Sequence, residues 1–144
     1  MAKLPGLVGG ALVLDAEGLV KLARGDAIAR SYFEDARSAK GAIVSAATTL
    51  TEVLRGRPAD CSLHRVLNKM TVVPVDRELA RAAGERLGRT GLSGHRCALD
   101  SIVATVALAL RGPVVLLTGD LSEMVRLTEE PARPKGERVV VIRV

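Results

Sequence analysis

Aromatic residues are almost missing from this chain: one Tyr, one Phe and no Trp in 144 positions. That scarcity excludes a base-stacking platform for single-stranded nucleic acid and an aromatic cage for a quaternary cation. Cysteine is nearly as scarce. Cys61 and Cys97 stand in no CxxC motif, which argues against a disulfide scaffold and makes a reduced cytosol the expected compartment. His64 and His95 are too few and too scattered for a His-based zinc site. No apolar run approaches the ~20 residues that cross a bilayer. Residues 1–10 hold one lysine and no long apolar core, so no secretory signal is expected there.

What is abundant is apolar and basic. Hydrophobic residues make up 48% of the chain, enough to bury a sizeable core in a chain of one-domain length. No linker or internal repeat interrupts it, so residues 1–144 are expected to form one domain. Short apolar runs alternate with helical patterns. Strands are expected at residues 11–14, 42–44, 71–75, 113–118 and 139–144. Helices are expected at 18–24, 26–39, from Ser45, Thr48 or Thr49 to Gly56, then at 62–69, 76–87, 97–110 and 120–128. Three glycines make residues 88–94 a predicted loop. Fully apolar strands separated by helices mean a parallel sheet covered on both faces. Ligands in such sheets bind beyond the carboxyl ends of the strands, where the strand order reverses.

Four carboxylates stand out against that frame. Asp100 is the only charged side chain between Cys97 and Leu110, beside the core stripe of Leu99, Ile102, Val103, Val106 and Leu110. A buried carboxylate needs a cation or several donors; equally, one in a first turn can simply favour the helix dipole. Asp15 and Asp120 each follow an apolar strand, and taken singly each reads as the cap of the next helix. Glu52, at the border of the apolar face of Leu50, Val53 and Leu54, reads singly as a solvated glutamate paired with Arg55 or Arg57. Taken together, four oxygen donors without a His or Cys cluster suit a hard cation, Mg²⁺ or Mn²⁺. That is the donor set of metal-assisted phosphodiester hydrolysis.

The same residues carry a family resemblance. Leu12-Val13-Leu14-Asp15, the run from Ser45 to Val53 that contains Glu52, Val73-Pro74-Val75-Asp76 with the following Ala82-Ala83-Gly84, the run from Cys97 to Ala104 that contains Asp100, and Val114-Val115-Leu116-Leu117-Thr118-Gly119-Asp120 together resemble a PIN-domain ribonuclease, specifically a VapC-type toxin of a bacterial toxin–antitoxin pair. The resemblance spans nearly the whole chain. It implies a three-layer α/β/α fold with a five-stranded parallel sheet in the order 3-2-1-4-5, which would bring Asp15 and Asp120 together at the switch point. It further implies that Asp15, Glu52, Asp100 and Asp120 form the catalytic site of an endoribonuclease that inhibits translation and growth. Mg²⁺ or Mn²⁺ would bind to Asp15 and Asp100, and to Asp120 directly or through water. Glu52 would position or hold a water, and Thr118 would steady the site and substrate by hydrogen bonding. The sequence departs from the family pattern at Ala16 and Gly119, where hydroxyl residues are usual. Glu123, three residues after Asp120, reads as a solvated helix residue before it reads as a fifth carboxylate.

Sixteen of the 21 basic residues are Arg. Setting the four site carboxylates aside leaves twelve acids against 21 bases, a net charge of +9 on the remainder. An acidic pocket in a basic surround suits a nucleic acid substrate. Arg96, one turn before Asp100, is the first candidate for phosphate contact, while Arg77, Arg81, Arg86 and Arg89 read as a solvated helix face. Tyr32 and Phe33 read as packing residues. The resemblance also implies a VapB-like antitoxin seated against the first helices, where Leu19, Val20, Leu22 and Ile28 could offer apolar surface, and a homodimer. Ordinary core packing is the plainer reading of those four. Other phosphoryl-transfer families fit less well: a haloacid-dehalogenase-type phosphatase needs Asp-x-Asp where this chain has Asp15-Ala16-Glu17, and a receiver domain needs Lys-Pro where it has Pro134-Lys135. A non-enzymatic RNA-binding module with a degenerate site is the alternative that Ala16 and Gly119 leave open.

Overall fold

The structure, a computed structural model, describes residues 10–144; the expectation about a leader at residues 1–10 falls almost wholly outside them. Five strands form one parallel sheet: β1 (Ala11–Leu14), β2 (Ala42–Ala46), β3 (Thr71–Val73), β4 (Val114–Thr118) and β5 (Val139–Arg143), in the order β3-β2-β1-β4-β5. Among the described residues seven α-helices accompany them: α1 (Ala16–Ala23), α2 (Ala27–Ser38), α3 (Thr49–Val53), α4 (Cys61–Leu67), α5 (Arg77–Thr90), α6 (Gly94–Ala109) and α7 (Leu121–Thr128). This is the three-layer arrangement and strand order that the resemblance implied.

Alternation along the strands divides the core in two. Val13, Val44 and Leu116 face Leu79 of α5, Val103, Val106 and Ala107 of α6, and Met124 and Leu127 of α7. Leu12, Leu14, Ile43 and Leu117 face Leu19 and Leu22 of α1, Phe33 of α2, Val53 of α3 and Leu63 of α4. The central strand β1 is buried along its whole length, as a strand covered on both faces must be. Phe33 is buried and Tyr32 packs beside it, so the two aromatic residues serve the core. Leu19 and Leu22 are buried as well, which removes them as docking surface; Ile28 is largely exposed.

Several boundaries differ from expectation, each for a local reason. The segment expected as a loop at residues 88–94 is mostly helix. Helix α5 runs through Gly88 to Thr90 and ends on Gly91 at φ +69°, and α6 begins at Gly94 behind the Ser93 cap. Two of the three glycines are thus tolerated in helix, and the left-handed cap alone uses glycine's freedom. Ser45 is no helix cap: it lies in β2, buried, and its hydroxyl donates to Leu14 O at 2.7 Å. Thr48 takes the N-cap position of α3 without capping it through its side chain, and α3 stops at Val53, short of Gly56. Strand β3 ends at Val73 because Pro74 has no N–H for the ladder.

Helix α1 lies unusually close to the sheet. A Cβ placed on Gly18 would sit 2.8 Å from Leu117 O and 3.2 Å from Leu117 Cβ. Inside a helix, Gly→Ala ordinarily stabilises by about 0.5–1 kcal/mol. At Gly18 the sign should reverse: Gly18→Ala is expected to destabilise by about 1–3 kcal/mol through overpacking, read as a lower urea midpoint at unchanged m-value. A higher midpoint would show that α1 can move off β4 at no cost.

Candidate active site

The site forms where the chain turns out of β1 and β4, neighbours at the reversal of strand order. Asp15 ends β1 and caps α1, its Oδ1 accepting from Gly18 N–H at 2.8 Å. Its own N–H continues the β1–β4 pairing onto Leu117 O at 3.2 Å. Asp120 caps α7 in the same way, its Oδ1 accepting from Glu123 N–H at 3.1 Å and from the Ser122 hydroxyl at 3.2 Å. The capping reading of both residues is therefore correct, and it does not compete with the site reading. A cap needs one carboxylate oxygen, and a helix N-terminus favours the negative charge.

Asp15, Glu52, Asp100 and Asp120 line one open cavity of about 520 Å³. They arrive from four places: the ends of β1 and β4, helix α3 and helix α6. Asp15 is buried, Asp100 and Asp120 are half-buried, and Glu52 stands exposed at the mouth. Two hydrogen bonds hold the supporting elements. Ser45 ties β2 to the carbonyl just before Asp15. Ser101, next to Asp100, donates to Ala83 O at 2.7 Å and locks α6 against α5. Thr118 is buried beneath the cavity, and its hydroxyl accepts from Asp120 N–H at 3.0 Å. It steadies Asp120 from below, out of reach of a substrate in the cavity.

The electrostatics separate Asp15, Glu52 and Asp100 from a structural carboxylate such as Asp60. Burial raises the pKa of Asp15, with a smaller push from Glu17, against hydrogen bonds from Gly18, Thr118 and Gly119 that favour its charge. Burial also raises Glu52, and Asp15 adds to it. Asp100 is pushed up to about 6, first by burial and then by repulsion from Asp15, Glu52, Glu123 and Asp120. Among the described residues none of the four forms an ion pair. The expected Glu52–Arg55 pair does not form; the Arg55 guanidinium bonds backbone carbonyls, including that of Glu52. Asp60 shows the opposite case. It accepts from Arg55, Gly56 and Arg57 N–H, and its pKa is lowered, chiefly by the Arg55 bond. Asp60 is surrounded by backbone donors that favour its charge; Asp100 is buried and repelled by Asp15, Glu52, Glu123 and Asp120.

The cavity presents carboxylate oxygens, the donor type that a hard divalent cation takes. Among the described residues no three His, Cys, Asp or Glu side chains are gathered closely enough to enclose a metal ion by themselves. Mg²⁺ needs no such cage: it takes one or two carboxylates, keeps several waters and completes its shell with phosphate oxygens.

Several residues around the site were not singled out in the sequence. Glu17, Lys21 and Arg143 also line the cavity. Nothing in their spacing could reveal this, because Arg143 reaches the site only through the pairing of β5 with β4. Glu123 is not the solvated residue expected. Its side chain is only 17% exposed, lies 3.3 Å from the Arg96 guanidinium and accepts from the buried Cys97 thiol at 3.4 Å. Arg96, whose side chain is 74% exposed, pairs with Glu123 at the surface and is not part of the cavity lining. Gly119 also finds its reason: a Cβ there would stand 2.6 Å from Glu17 Cγ and 2.8 Å from Glu17 Cβ. The glycine and Glu17 are a matched pair.

No protein-family model matches the chain, and no curated protein does. A solved structure does: a chain of VapBC2 from Rickettsia felis, a complex bound to a DNA fragment from their promoter. It matches with a TM-score of 0.63 over 93% of this chain and 98% of that one, at 12% identity. The fold is PIN-like. Within the PIN-like fold the four carboxylates occupy the carboxyl edge of the sheet at the point where strand order reverses. Among the described residues no helix is long and apolar enough to cross a membrane.

Two stability measurements test this arrangement. The raised Asp100 pKa means that the folded protein binds a proton between about pH 4 and 6 that the unfolded chain has released. Stability therefore falls as pH rises through that window, and the whole cost is present at pH 7. In metal-free buffer at pH 7, Asp100→Asn should be more stable than the parent by about 1–2 kcal/mol, discounted for partial exposure. Its urea midpoint should also vary less between pH 4.5 and 7; a lower midpoint at pH 7 would contradict the repulsion. Separately, Gly119→Ser should cost about 1–3 kcal/mol by crowding Glu17, and adding Glu17→Ala should recover part of that loss.

Proposed function

We propose that the protein is a metal-dependent endoribonuclease acting as the toxin of a toxin–antitoxin pair. One observation carries this reading: four carboxylates from four separate elements meet in a single open cavity, and none of them is in an ion pair among the described residues. The VapBC2 structure, similar in fold, adds support for the toxin–antitoxin setting.

In this reading Asp15 and Asp100 hold a Mg²⁺ or Mn²⁺ ion, with Asp120 joining directly or through water. The bound ion supplies the positive charge that a phosphodiester needs as negative charge builds on it during attack. Asp15 and Asp120 are held still by their caps, so both present carboxylate oxygens to the cavity from rigid helix starts. Glu52, exposed at the mouth, is placed to orient the attacking water and to accept its proton, and its raised pKa suits that transfer. Thr118 keeps Asp120 in place. Glu17 occupies the space that a larger residue 119 would fill. The partner that restrains the nuclease is a VapB-like protein, with Ile28 on α2 the exposed apolar contact among the residues considered. The working form is a homodimer in the cytoplasm.

Purified protein should cleave bacterial RNA into discrete products with Mg²⁺ or Mn²⁺ and not with EDTA. Asp100→Asn and Asp15→Asn should each lower the rate at least 100-fold while remaining folded by circular dichroism. RNA left intact under every metal condition by folded, antitoxin-free protein would replace this reading with an RNA-binding module whose site has decayed.

A further inference from the structure

The acidic cavity poses a problem for an RNA substrate. Five carboxylates line it, and a phosphodiester backbone carries one negative charge per nucleotide. Cations must hold the phosphates on either side of the reacting one. Arg96 was the candidate from sequence, but it pairs with Glu123 from an exposed position and stands outside the lining. Two cations do line the cavity: Lys21 and Arg143.

Both are placed by rigid structure. Lys21 lies on α1, whose start is fixed by the Asp15 cap and whose first turn touches β4 at Gly18. Arg143 is the last residue of β5 and pairs in register with Thr118, and the next amide, Val144 N–H, donates to Thr118 O at 3.0 Å. The same Thr118 holds Asp120 through its hydroxyl. The position of Arg143 is thus tied by backbone bonds to the position of a site carboxylate. Neither cation forms an ion pair among the described residues, although five carboxylates share the cavity with them. A lysine and an arginine kept apart from nearby acids are free to meet another anion. The guanidinium offers a bidentate fork to a phosphate, and the ammonium a compact point charge.

We propose that Lys21 and Arg143 form a two-point clamp for the phosphate backbone of single-stranded RNA, on either side of the scissile phosphate. The proposal rests on the ribonuclease reading above and adds which residues bind the substrate. The clamp contacts phosphate rather than bases, so it contributes affinity without sequence preference.

The test uses the full chain with Asp100→Asn, so that RNA is bound and not cut, and a labelled single-stranded RNA 20-mer at fixed Mg²⁺. Binding is measured across a series of salt concentrations. Each phosphate contact to a single strand adds about 0.7 to the slope of log affinity against log salt. Lys21→Ala with Arg143→Ala should therefore flatten the slope by about 1.4, and each single change by about half of that. Lys21→Arg with Arg143→Lys should keep the parent slope. Arg81→Ala, whose exposed side chain pairs with Glu85 on α5, should leave it unchanged. RNA bound by the double alanine variant with the parent slope overturns the clamp and leaves the nuclease reading standing. A larger loss from Arg96→Ala than from the pair overturns it too. Failure of the parent to bind RNA at all overturns both.

Discussion

The carboxylate of Asp15 joins everything that matters in this protein. It ends the central strand, its N–H extends the pairing with β4, and its side chain starts α1. That helix then lies so close to β4 that only a glycine fits at Gly18. The stability of this corner comes from a cap and a close contact; the chemistry proposed for it comes from the same carboxylate's position at the cavity. One carboxylate can serve the cap and still line the cavity, so the capping and catalytic readings of Asp15 are compatible. Asp120 repeats the arrangement one strand away.

The second constraint is repulsion. Asp15, Glu52, Asp100 and Asp120 share a cavity and form no ion pair among the described residues, and burial followed by repulsion from its neighbours pushes Asp100 up to about 6. Among the described residues the side chains of Asp100 and Glu52 accept no hydrogen bond, whereas Asp60 accepts three from backbone N–H groups. Here the folded state carries a cost at neutral pH that a divalent cation would remove. Binding such an ion would then also contribute to stability, since any ligand that prefers the folded state raises it.

Much of the arrangement was legible in the sequence because the signals were local. Apolar runs with Asp at their ends marked β1 and β4, and the isolated charge of Asp100 marked an otherwise apolar helix. Boundaries were less legible where a residue's partner lies far along the chain. Ser45 reads as a helix cap until Leu14 O is seen beside it. Gly88 and Gly94 read as loop until α5 and α6 are seen to pack and carry them as helix. Glu123 reads as solvated until the α6–α7 contact buries it between Arg96 and Cys97.

Local pattern by itself determined the layered parallel fold and nominated the four carboxylates, since strand and helix periods and helix caps are properties of neighbouring residues. Only the tertiary structure decided what surrounds those carboxylates. Lys21 and Arg143 are 122 positions apart and share a cavity solely because β5 pairs with β4 while α1 packs on it. Gly119 looks like a lost hydroxyl in sequence and is in fact the space that Glu17 occupies. Contacts of that kind depend on which strands lie side by side, and strand order is a property of the folded sheet rather than of any segment within it.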